Sequence, residues 1–240
     1  MRIRAVMFDV YGTLLEAGPP PLDAAQQWLC LCRAHLGERR PALCLESFNT
    51  QCQRIIEREH KTARAQGVPH PEVYWPAVAC EALPALETFS EAELDEFLFR
   101  HAQLQHGIRL TSGAARFLTE LAGEATLLGV ASNAQAYTIR EFQSALITAG
   151  LNPSIFQRDL CFWSFEHGFG KPDPHVFQIL AARLRARRIY ARETLMVGDR
   201  LDNDIEPAKA HGWHTWQMSA PTDEEWAKLR RALFHPEHGL

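Results

Sequence analysis

Aspartate is the residue type whose positions in this sequence suggest chemistry most directly. Asp9 follows a short apolar run near the N-terminus, Asp199 follows a second apolar run over 194–197, and Asp202 and Asp204 come soon after it. A carboxylate can attack phosphorus or an activated carbon and form a covalent intermediate, which divides one difficult step into two. Asp9 is therefore a candidate nucleophile, and the three later aspartates form a candidate acidic cluster.

Ser132 and Lys171 are further candidates for the same chemistry. Ser132 ends another apolar run, and its hydroxyl could hydrogen-bond a phosphoryl oxygen during transfer. Lys171 lies between Gly170 and Pro172, so it cannot occupy the interior of a helix. Its charge could offset negative charge on Asp9 and on a phosphoryl group.

Alternating strands and helices are needed to bring these residues together. Apolar runs predict strands over 3–8, 125–131 and 194–197, with another apolar segment near 159–163, and helical spacing predicts helices over 112–122, 137–149, 174–186 and, as the last one, 203–211. This alternation predicts a Rossmann-like α/β fold, in which a parallel sheet has helices on both faces. Ligands bind at the carboxyl edge of such a sheet. Asp9, Ser132 and Asp199 should all lie at that edge.

The segment between the first strand and the rest of this pattern has a different character. After the Gly-Pro-Pro-Pro cluster at 18–21, residues 22–105 are rich in Ala, Leu, Glu, Gln and Arg and show apolar residues at helical spacing. Helices are predicted over 22–36, 44–66, 73–83 and 90–106, and Ser90 with Glu93 predicts a capping box for the last of them. We therefore predict a catalytic core over 1–17 and 107–240 and a small all-helical domain over 18–106.

Four short motifs give the sequence a family resemblance. They are residues 8–14 (FDVYGTL), 131–133 (ASN), 170–174 (GKPDP) and 197–204 (VGDRLDND), and each falls at the end of a predicted element. In this order they resemble the motifs of the haloacid dehalogenase-like hydrolases whose helical cap is inserted between the first and second motif. The resemblance covers the predicted core from end to end, and covers the cap by position more than by sequence.

The resemblance implies roles for individual residues. The catalytic residues would be Asp9 as nucleophile, Ser132, Lys171 and Asp204. The substrate-binding residues would be Tyr11, Gly12, Thr13 and Asn133. The metal ligands would be Asp9, Asp199 and the backbone carbonyl of Tyr11. Asn133 would order its loop or contact substrate, Asp204 would hold Lys171 or a metal-bound water, and Asp202 would be a solvated residue at a helix start.

A magnesium ion is the cofactor that this acidic cluster favours. Several carboxylates at one sheet edge, with only Lys171 to balance them, cannot all stay ionised without a cation. Oxygen ligands without a nearby cysteine or histidine suit Mg²⁺, which also bridges phosphate oxygens.

Tyr11 departs from the pattern of the family's phosphatases. Most of them carry a second aspartate two residues after the nucleophile, as general acid and base. Tyrosine, with a pKa of about 10, is a poor base at neutral pH, and losing a positioned acid–base group costs about 10²–10⁴-fold in rate. A tyrosine at this position is familiar from the haloacid dehalogenases themselves, in which the leaving halide needs no proton. They differ from this chain in the fourth motif, where they carry Ser and Asn in place of acidic metal ligands.

Three functions are consistent with this combination. The favoured one is a Mg²⁺-dependent phosphatase that hydrolyses a small phosphorylated metabolite through a covalent aspartyl-phosphate on Asp9. The first alternative is a 2-haloacid dehalogenase that forms an ester on Asp9 without metal. The second is a binding or regulatory protein with a degenerate active site, in which Tyr11 replaces the acid–base aspartate.

Composition and sequence pattern limit which partners and which cellular location we expect for this protein. The 240 residues are 46% hydrophobic with a net charge of −4, which suits a globular protein and gives no reason to expect a nucleic-acid partner. The N-terminus lacks the pattern of a signal peptide, no apolar run approaches the length of a membrane span, and the six cysteines form no CxxC pair. We expect a cytoplasmic monomer or homodimer that acts on a small molecule and binds no membrane.

Overall fold

The computed structural model describes residues 3–37 and 43–234. The outermost ends of the predicted core, residues 1–2 and 235–240, and residues 38–42 of the predicted helical domain lie outside the described residues.

A five-stranded parallel sheet forms the centre of the structure, with its strands in the order β5-β4-β1-β6-β7. These strands are β1 (Ala5–Phe8), β4 (Leu127–Ser132), β5 (Phe156–Trp163), β6 (Thr194–Gly198) and β7 (His214–Gln217), and a separate antiparallel pair consists of β2 (Leu15–Ala17) and β3 (Ile108–Leu110). The predicted α/β fold with a parallel sheet is confirmed.

Nine α-helices surround or extend this sheet within the described ranges. They are α1 (Ala24–Leu36), α2 (Leu45–Ala65), α3 (Trp75–Ala82), α4 (Glu91–Gln103), α5 (Ala114–Ala122), α6 (Ala136–Thr148), α7 (Pro174–Ala186), α8 (Glu206–Ala210) and α9 (Asp223–Phe234).

Strand β1 is apolar throughout because helices cover both faces of the sheet. Val6 and Phe8 point into the hydrophobic cluster formed with α5, α6 and α9, whereas Ala5 and Met7 point into the one formed with α7 and α8. All four residues are fully buried. This arrangement explains why the strand reads as a continuous apolar run rather than as an alternating pattern.

The register of the central strands brings the predicted site residues to one edge. Phe8 pairs with Val130 of β4 on one side and with Val197 of β6 on the other. The three strands therefore end at nearly the same level. Asp9 follows one residue after this level, and Ser132 and Asp199 follow two residues after it.

The predicted last helix over 203–211 is wrong in two respects. Residues 201–205 form one wide π-type turn, α8 begins only at Glu206, and a further helix, α9, follows near the C-terminus. Helix α9 buries a narrow stripe of Trp226, Leu229 and Ala232 in a stretch that is otherwise strongly charged. The spacing of these three apolar residues was the signal available for it.

The chain between β2 and β3, which contains α1–α4, has its own hydrophobic cluster; we call it the helical insert. Trp28 stacks on Phe48 at 4.9 Å between ring centroids and meets Phe97 edge-on at 5.8 Å. The predicted capping box at the start of α4 is confirmed, since the Ser90 backbone N–H donates to the Glu93 carboxylate at 2.8 Å. The helices predicted for this region all form, with ends that differ by up to three residues.

Within the described residues, none of the helices has the length and apolar character that crossing a membrane requires.

His101 is a buried titratable group in the cluster of the helical insert. Its ring lies 5.0 Å from the ring of Phe48, 5.8 Å from Trp28 and 6.0 Å from Trp75. Its Nε2 lies 2.9 Å from Asn49 Oδ1. Burial lowers the pKa of His101 to about 4.

We expect this histidine to make the fold less stable in acid. The unfolded chain binds a proton near the ordinary histidine pKa of about 6.5, whereas folded His101 binds one only near pH 4. The free energy of unfolding should therefore fall as the pH drops from 6.5 towards 4, by up to about 3 kcal/mol from this group. Chemical denaturation at pH 7 and pH 4.5 measures the change, and His101→Gln should show a smaller one. Equal pH dependence in the two proteins would contradict the burial argument.

Candidate active site

Asp9 lies immediately after β1 at the carboxyl edge of the sheet. Its backbone N–H donates to Val197 O at 2.9 Å, which fixes it to the end of the neighbouring strand β6. Its side chain is 12% exposed and accepts a hydrogen bond from Lys171 Nζ through Oδ1, at 2.7 Å. Its second carboxylate oxygen, Oδ2, accepts no hydrogen bond from the described residues, so this oxygen can face a ligand.

Lys171 is buried between two carboxylates, those of Asp9 and Asp204. Its ammonium donates to Asp9 Oδ1 and to Asp204 Oδ1. Burial acts to lower the pKa of Lys171, but the two carboxylates outweigh burial and the pKa is raised. Lys171 is therefore a fixed positive charge beside the proposed nucleophile.

Asn133 holds the loop that carries Lys171. Its Oδ1 accepts from the Lys171 backbone N–H at 2.7 Å, and its Nδ2 donates to Lys171 O at 2.8 Å. A side chain at Gly170 would collide with this amide, because a Cβ there would overlap Asn133 Oδ1. The glycine lets the two loops approach closely enough for these bonds to form.

The structure brings Asp9, Asp199 and Asp204 together. Each offers one carboxylate oxygen such that these oxygens all lie within 4.8 Å of one another. Burial raises the pKa of Asp9 to about 6, because the attraction of Lys171 is shared with Asp204 and does not compensate fully. Burial, and next the charge of Asp204, also raise the pKa of Asp199. Burial is the largest cause of both shifts, and repulsion from the neighbouring carboxylates adds to it.

The two acidic residues after Asp199 have different surroundings. Asp204 is buried, with Oδ1 accepting from Lys171 and Oδ2 accepting from the Arg200 backbone N–H at 3.0 Å. Asp202 pairs with the Arg200 side chain at 2.8 Å and is exposed. Asp204 therefore lies where it can position Lys171, whereas Asp202 lies in solvent outside the cluster.

Gly12 gives the loop after β1 a shape that other residues cannot adopt. Its φ is +82°, in the left-handed region that favours glycine. A Cβ at this position would lie only 2.5 Å from Asp199 Oδ2. The backbone of the nucleophile loop thus lies directly against the carboxylate predicted to bind metal.

Ser132, at the end of β4, and Thr13, in the loop after β1, both carry buried hydroxyls. Both residues are almost completely buried, and neither side-chain oxygen has a hydrogen-bond partner in the part of the chain that the structure describes. An unpaired buried hydroxyl is costly, so such groups usually indicate a ligand or a water. Phosphoryl oxygens are acceptors that these hydroxyls suit.

The hydroxyl of Tyr11 is directed towards helix α6. It donates to Glu141 Oε2 and lies 3.2 Å from Thr138 Oγ1. Burial raises the pKa of Tyr11, and the neighbouring Glu141 raises it further. Glu141 is itself buried, and its Oε1 lies 3.4 Å from His106 Nε2. The phenol is thus a poorer acid than an ordinary tyrosine.

Glu141 is a functional candidate that the sequence reasoning missed. A glutamate on a helix is normally solvated, and nothing close to Tyr11 in sequence points to it. One signal was available: Thr138 and Glu141 are three residues apart on the predicted helix over 137–149, so they share a face with the apolar Ala145 and Phe142.

Comparisons with known proteins identify a family and several relatives for this chain. A family model described as haloacid dehalogenase-like hydrolase matches residues 3–212. The chain is 24% identical over 221 residues to an uncharacterised hydrolase of Schizosaccharomyces pombe, covering 89% of each protein. It is 37% identical over 98 residues to a glyceraldehyde 3-phosphate phosphatase of Methanocaldococcus jannaschii, covering 41% of this chain and 39% of the phosphatase.

Solved structures share the fold. A 2-haloacid dehalogenase of Pseudomonas syringae superposes with a TM-score of 0.57 at 23% identity, covering 89% of this chain and 85% of the dehalogenase. A haloacid dehalogenase family enzyme of Bacteroides thetaiotaomicron superposes with a TM-score of 0.59 at 16% identity, covering 96% of this chain and all of that enzyme's chain, 100%. At these identities the likeness concerns the fold, not the substrate.

Proposed function

The chain belongs to the haloacid dehalogenase-like hydrolase family, and from this membership we propose that it is a Mg²⁺-dependent phosphatase of small phosphate esters. In this proposal Asp9 is the nucleophile and a covalent aspartyl-phosphate is the intermediate. The helical insert acts as the cap that excludes water from the site during the reaction.

The main support for a bound Mg²⁺ ion is the excess of carboxylates over cations at the carboxyl edge of the sheet. Asp9, Asp199 and Asp204 offer carboxylate oxygens within 4.8 Å of one another, and among the described residues the ammonium that contacts this cluster is that of Lys171, which is already bonded to Asp9 and Asp204. The donor set is all oxygen, which fits Mg²⁺. Because both Asp204 oxygens accept hydrogen bonds from the protein, Asp9 and Asp199, with the backbone carbonyl of Tyr11, are the residues that would hold the ion.

The residues around Asp9 can support phosphoryl transfer. An Asp9 carboxylate oxygen forms a bond to phosphorus while the bond from phosphorus to the ester oxygen breaks, and the leaving oxygen keeps the electron pair. Lys171 faces the developing charge with its ammonium, and the unpaired hydroxyls of Ser132 and Thr13 can donate to phosphoryl oxygens. Water then attacks phosphorus, and the bond to Asp9 breaks. When bound, Mg²⁺ would neutralise charge on the phosphoryl oxygens.

Protonation of the leaving oxygen is the step for which the chain offers no good proton donor at the usual position. The position of the usual acid–base aspartate is Tyr11, whose hydroxyl is bonded to Glu141 and whose pKa is raised. We therefore propose substrates whose leaving groups need little help from an acid, such as aryl or acyl phosphates.

One partial sequence match supports this proposal, and two alternative functions compete with it. The partial match to a glyceraldehyde 3-phosphate phosphatase supports a phosphate ester as substrate. Tyr11 favours instead a 2-haloacid dehalogenase, which would form an ester on Asp9 without metal and release a halide. A binding or regulatory protein with a degenerate site would carry out neither reaction.

A substrate screen with and without Mg²⁺ tests the proposal. The panel contains alkyl, aryl and acyl phosphates together with 2-haloacids, and the assays follow inorganic phosphate and free halide. Phosphate release that requires Mg²⁺ supports the phosphatase. Metal-independent halide release would establish the dehalogenase instead, and a folded protein inactive on the whole panel would favour the binding protein.

We expect that supplying the missing acid accelerates the hydrolysis of alkyl phosphates, whose leaving groups need a proton, more than that of aryl phosphates. In Tyr11→Asp alone the buried Glu141 would lose its hydrogen-bond donor, so the test uses the double variant Tyr11→Asp/Glu141→Gln. Its kcat should rise by about 10²-fold on an alkyl phosphate. Its kcat on p-nitrophenyl phosphate should change much less, because that leaving group needs no proton. Steady-state assays of both substrates with Mg²⁺ measure the two effects.

Tyr11→Phe/Glu141→Gln is the matched control for this test. It removes the phenol hydroxyl and the buried carboxylate without adding an acid, so it should give no gain on the alkyl substrate. An equal gain in the control would mean that relief of crowding, not acid catalysis, accounts for the result.

A further inference from the structure

The segment over residues 70–73 of the helical insert is joined to the loop that precedes Lys171. The Glu72 backbone N–H donates to Gly168 O at 2.9 Å, and the Gly170 backbone N–H donates to His70 O at 3.0 Å. Pro71 and Phe169 form an antiparallel bridge between these two bonds. We call residues 70–73 the strap, because they form a short two-stranded pairing across the boundary between insert and core.

The carboxylate of Glu72 adds side-chain bonds to the same connection. Its Oε2 accepts from Ser164 Oγ at 2.6 Å, and its Oε1 accepts from Gln135 Nε2 at 2.7 Å. Ser164 is fully buried, and its Oγ also accepts from the Ala134 backbone N–H at 2.8 Å. One carboxylate from the insert therefore connects the loop after β4 with the loop after β5.

These two loops carry catalytic candidates. Asn133 precedes Ala134 directly, and Lys171 follows Gly170 directly. Asn133 and Lys171 are in turn bonded to each other through two hydrogen bonds. The strap thus contacts both loops one or two residues from the groups whose placement determines where the ammonium of Lys171 lies.

We infer that Glu72 is a positioning residue, which fixes Asn133 and Lys171 in their working geometry through Gln135, Ser164 and the strap. The site is then complete only while the helical insert lies against the core. Loss of the carboxylate removes the nearest acceptor of Gln135 Nε2 and Ser164 Oγ, which then reach only backbone oxygens, Val73 O at 3.4 Å and Ala134 O at 3.1 Å, and it loosens the strap. Displacing a catalytic group by about 1 Å can cost about 10²-fold in rate.

Three variants test this role: Glu72→Ala, Glu72→Gln and, as a control on an exposed glutamate of the insert, Glu87→Ala. Steady-state kinetics on p-nitrophenyl phosphate with Mg²⁺ and amide hydrogen exchange without substrate are the two measurements. We expect Glu72→Ala to lower kcat by about 10²-fold, with a smaller change in KM. Its amide exchange at Gly170 and Lys171 should be faster than in wild type. Glu72→Gln keeps an acceptor for Gln135 and should recover most of both losses, and Glu87→Ala should match wild type.

The exchange measurement separates this inference from the proposed phosphatase activity. If wild type does not hydrolyse the phosphate, the phosphatase proposal fails while faster exchange at Gly170 and Lys171 in Glu72→Ala still supports the coupling. Wild-type exchange at both amides in Glu72→Ala would overturn the inference, as would an unchanged kcat in a variant with faster exchange. If Glu72→Ala does not melt cooperatively, Gln135→Ala is used in its place, because it removes one of the two side-chain bonds to Glu72. It must show a lower kcat and faster exchange at Gly170 and Lys171, both to a smaller degree.

Discussion

Replacement of Asp9 by Asn is expected to abolish hydrolysis while leaving the fold intact. An amide cannot act as the nucleophile, and removing a nucleophile lowers kcat by about 10⁴-fold or more. The fold should survive because Lys171 keeps its second partner, Asp204, so no buried ammonium is left unpaired. The loss of one charge from an overcrowded acidic edge is also favourable for the protein without metal.

Two measurements check this result on the same protein preparations. Turnover is assayed on the best substrate of the screen, and acid-quenched reactions are analysed by mass spectrometry for a phosphoryl group on the peptide containing Asp9. Asp202→Asn is the matched control, because Asp202 is an exposed aspartate near the same edge but outside the cluster. Wild-type turnover in Asp9→Asn would rule out Asp9 as the nucleophile and with it the covalent mechanism.

The second large effect concerns Asp199 and the metal. We expect Asp199→Ala to lose Mg²⁺ binding and, with it, Mg²⁺-dependent turnover. Without metal the variant should be at least as stable as wild type, because burial and the charge of Asp204 raise the pKa of Asp199, so its ionised form is unfavourable when no cation balances it. With Mg²⁺ at a hundred times its Kd, wild type should gain about 2.7 kcal/mol in the free energy of unfolding. The variant should gain nothing.

Calorimetric titration and chemical denaturation with and without Mg²⁺ measure this prediction. Asp202→Ala serves as the control and should bind Mg²⁺ as wild type does, since its carboxylate pairs with Arg200 away from the cluster. Unchanged Mg²⁺ affinity in Asp199→Ala would place the ion elsewhere. No Mg²⁺ binding by wild type, combined with metal-free turnover of a 2-haloacid, would favour the dehalogenase.

The central part of the fold could be predicted because its signals are local. A strand buried on both faces reads as an uninterrupted apolar run, and Asp9 and Asp199 follow such runs directly. Parallel pairing then places the ends of these strands at the same edge, whatever the details of the helices. The juxtaposition of Asp9 with Asp199 therefore follows from sequence pattern and sheet geometry alone.

The contacts that sequence could not predict join residues far apart in the chain. Tyr11 and Glu141 are 130 positions apart, and their pairing depends on how α6 packs against the loop after β1. The pairing of β2 with β3 spans the whole helical insert, and each strand has only three residues, too few for a periodic pattern. Helix α9 was not predicted because its buried stripe is narrow and many of its other positions are charged.

The junction between the helical insert and the rest of the chain has a consequence for how such proteins can diversify. The Gly18 backbone N–H donates to Gly107 O at 2.7 Å, so the two ends of the insert are held side by side by the β2–β3 pair. The insert also buries its own cluster around Trp28 and Phe48. A different segment could therefore be transplanted between Gly18 and Gly107 without changing the register of the central sheet, because the closing of this long loop is already fixed by the strand pair. Sequence change within the insert can thus proceed separately from sequence change at the carboxyl edge of the sheet, except where the two parts touch. At α6, Arg140 pairs with Asp95 and Glu96 of the insert, and at the strap an exchanged insert would have to bring its own acceptor for Gln135 and Ser164.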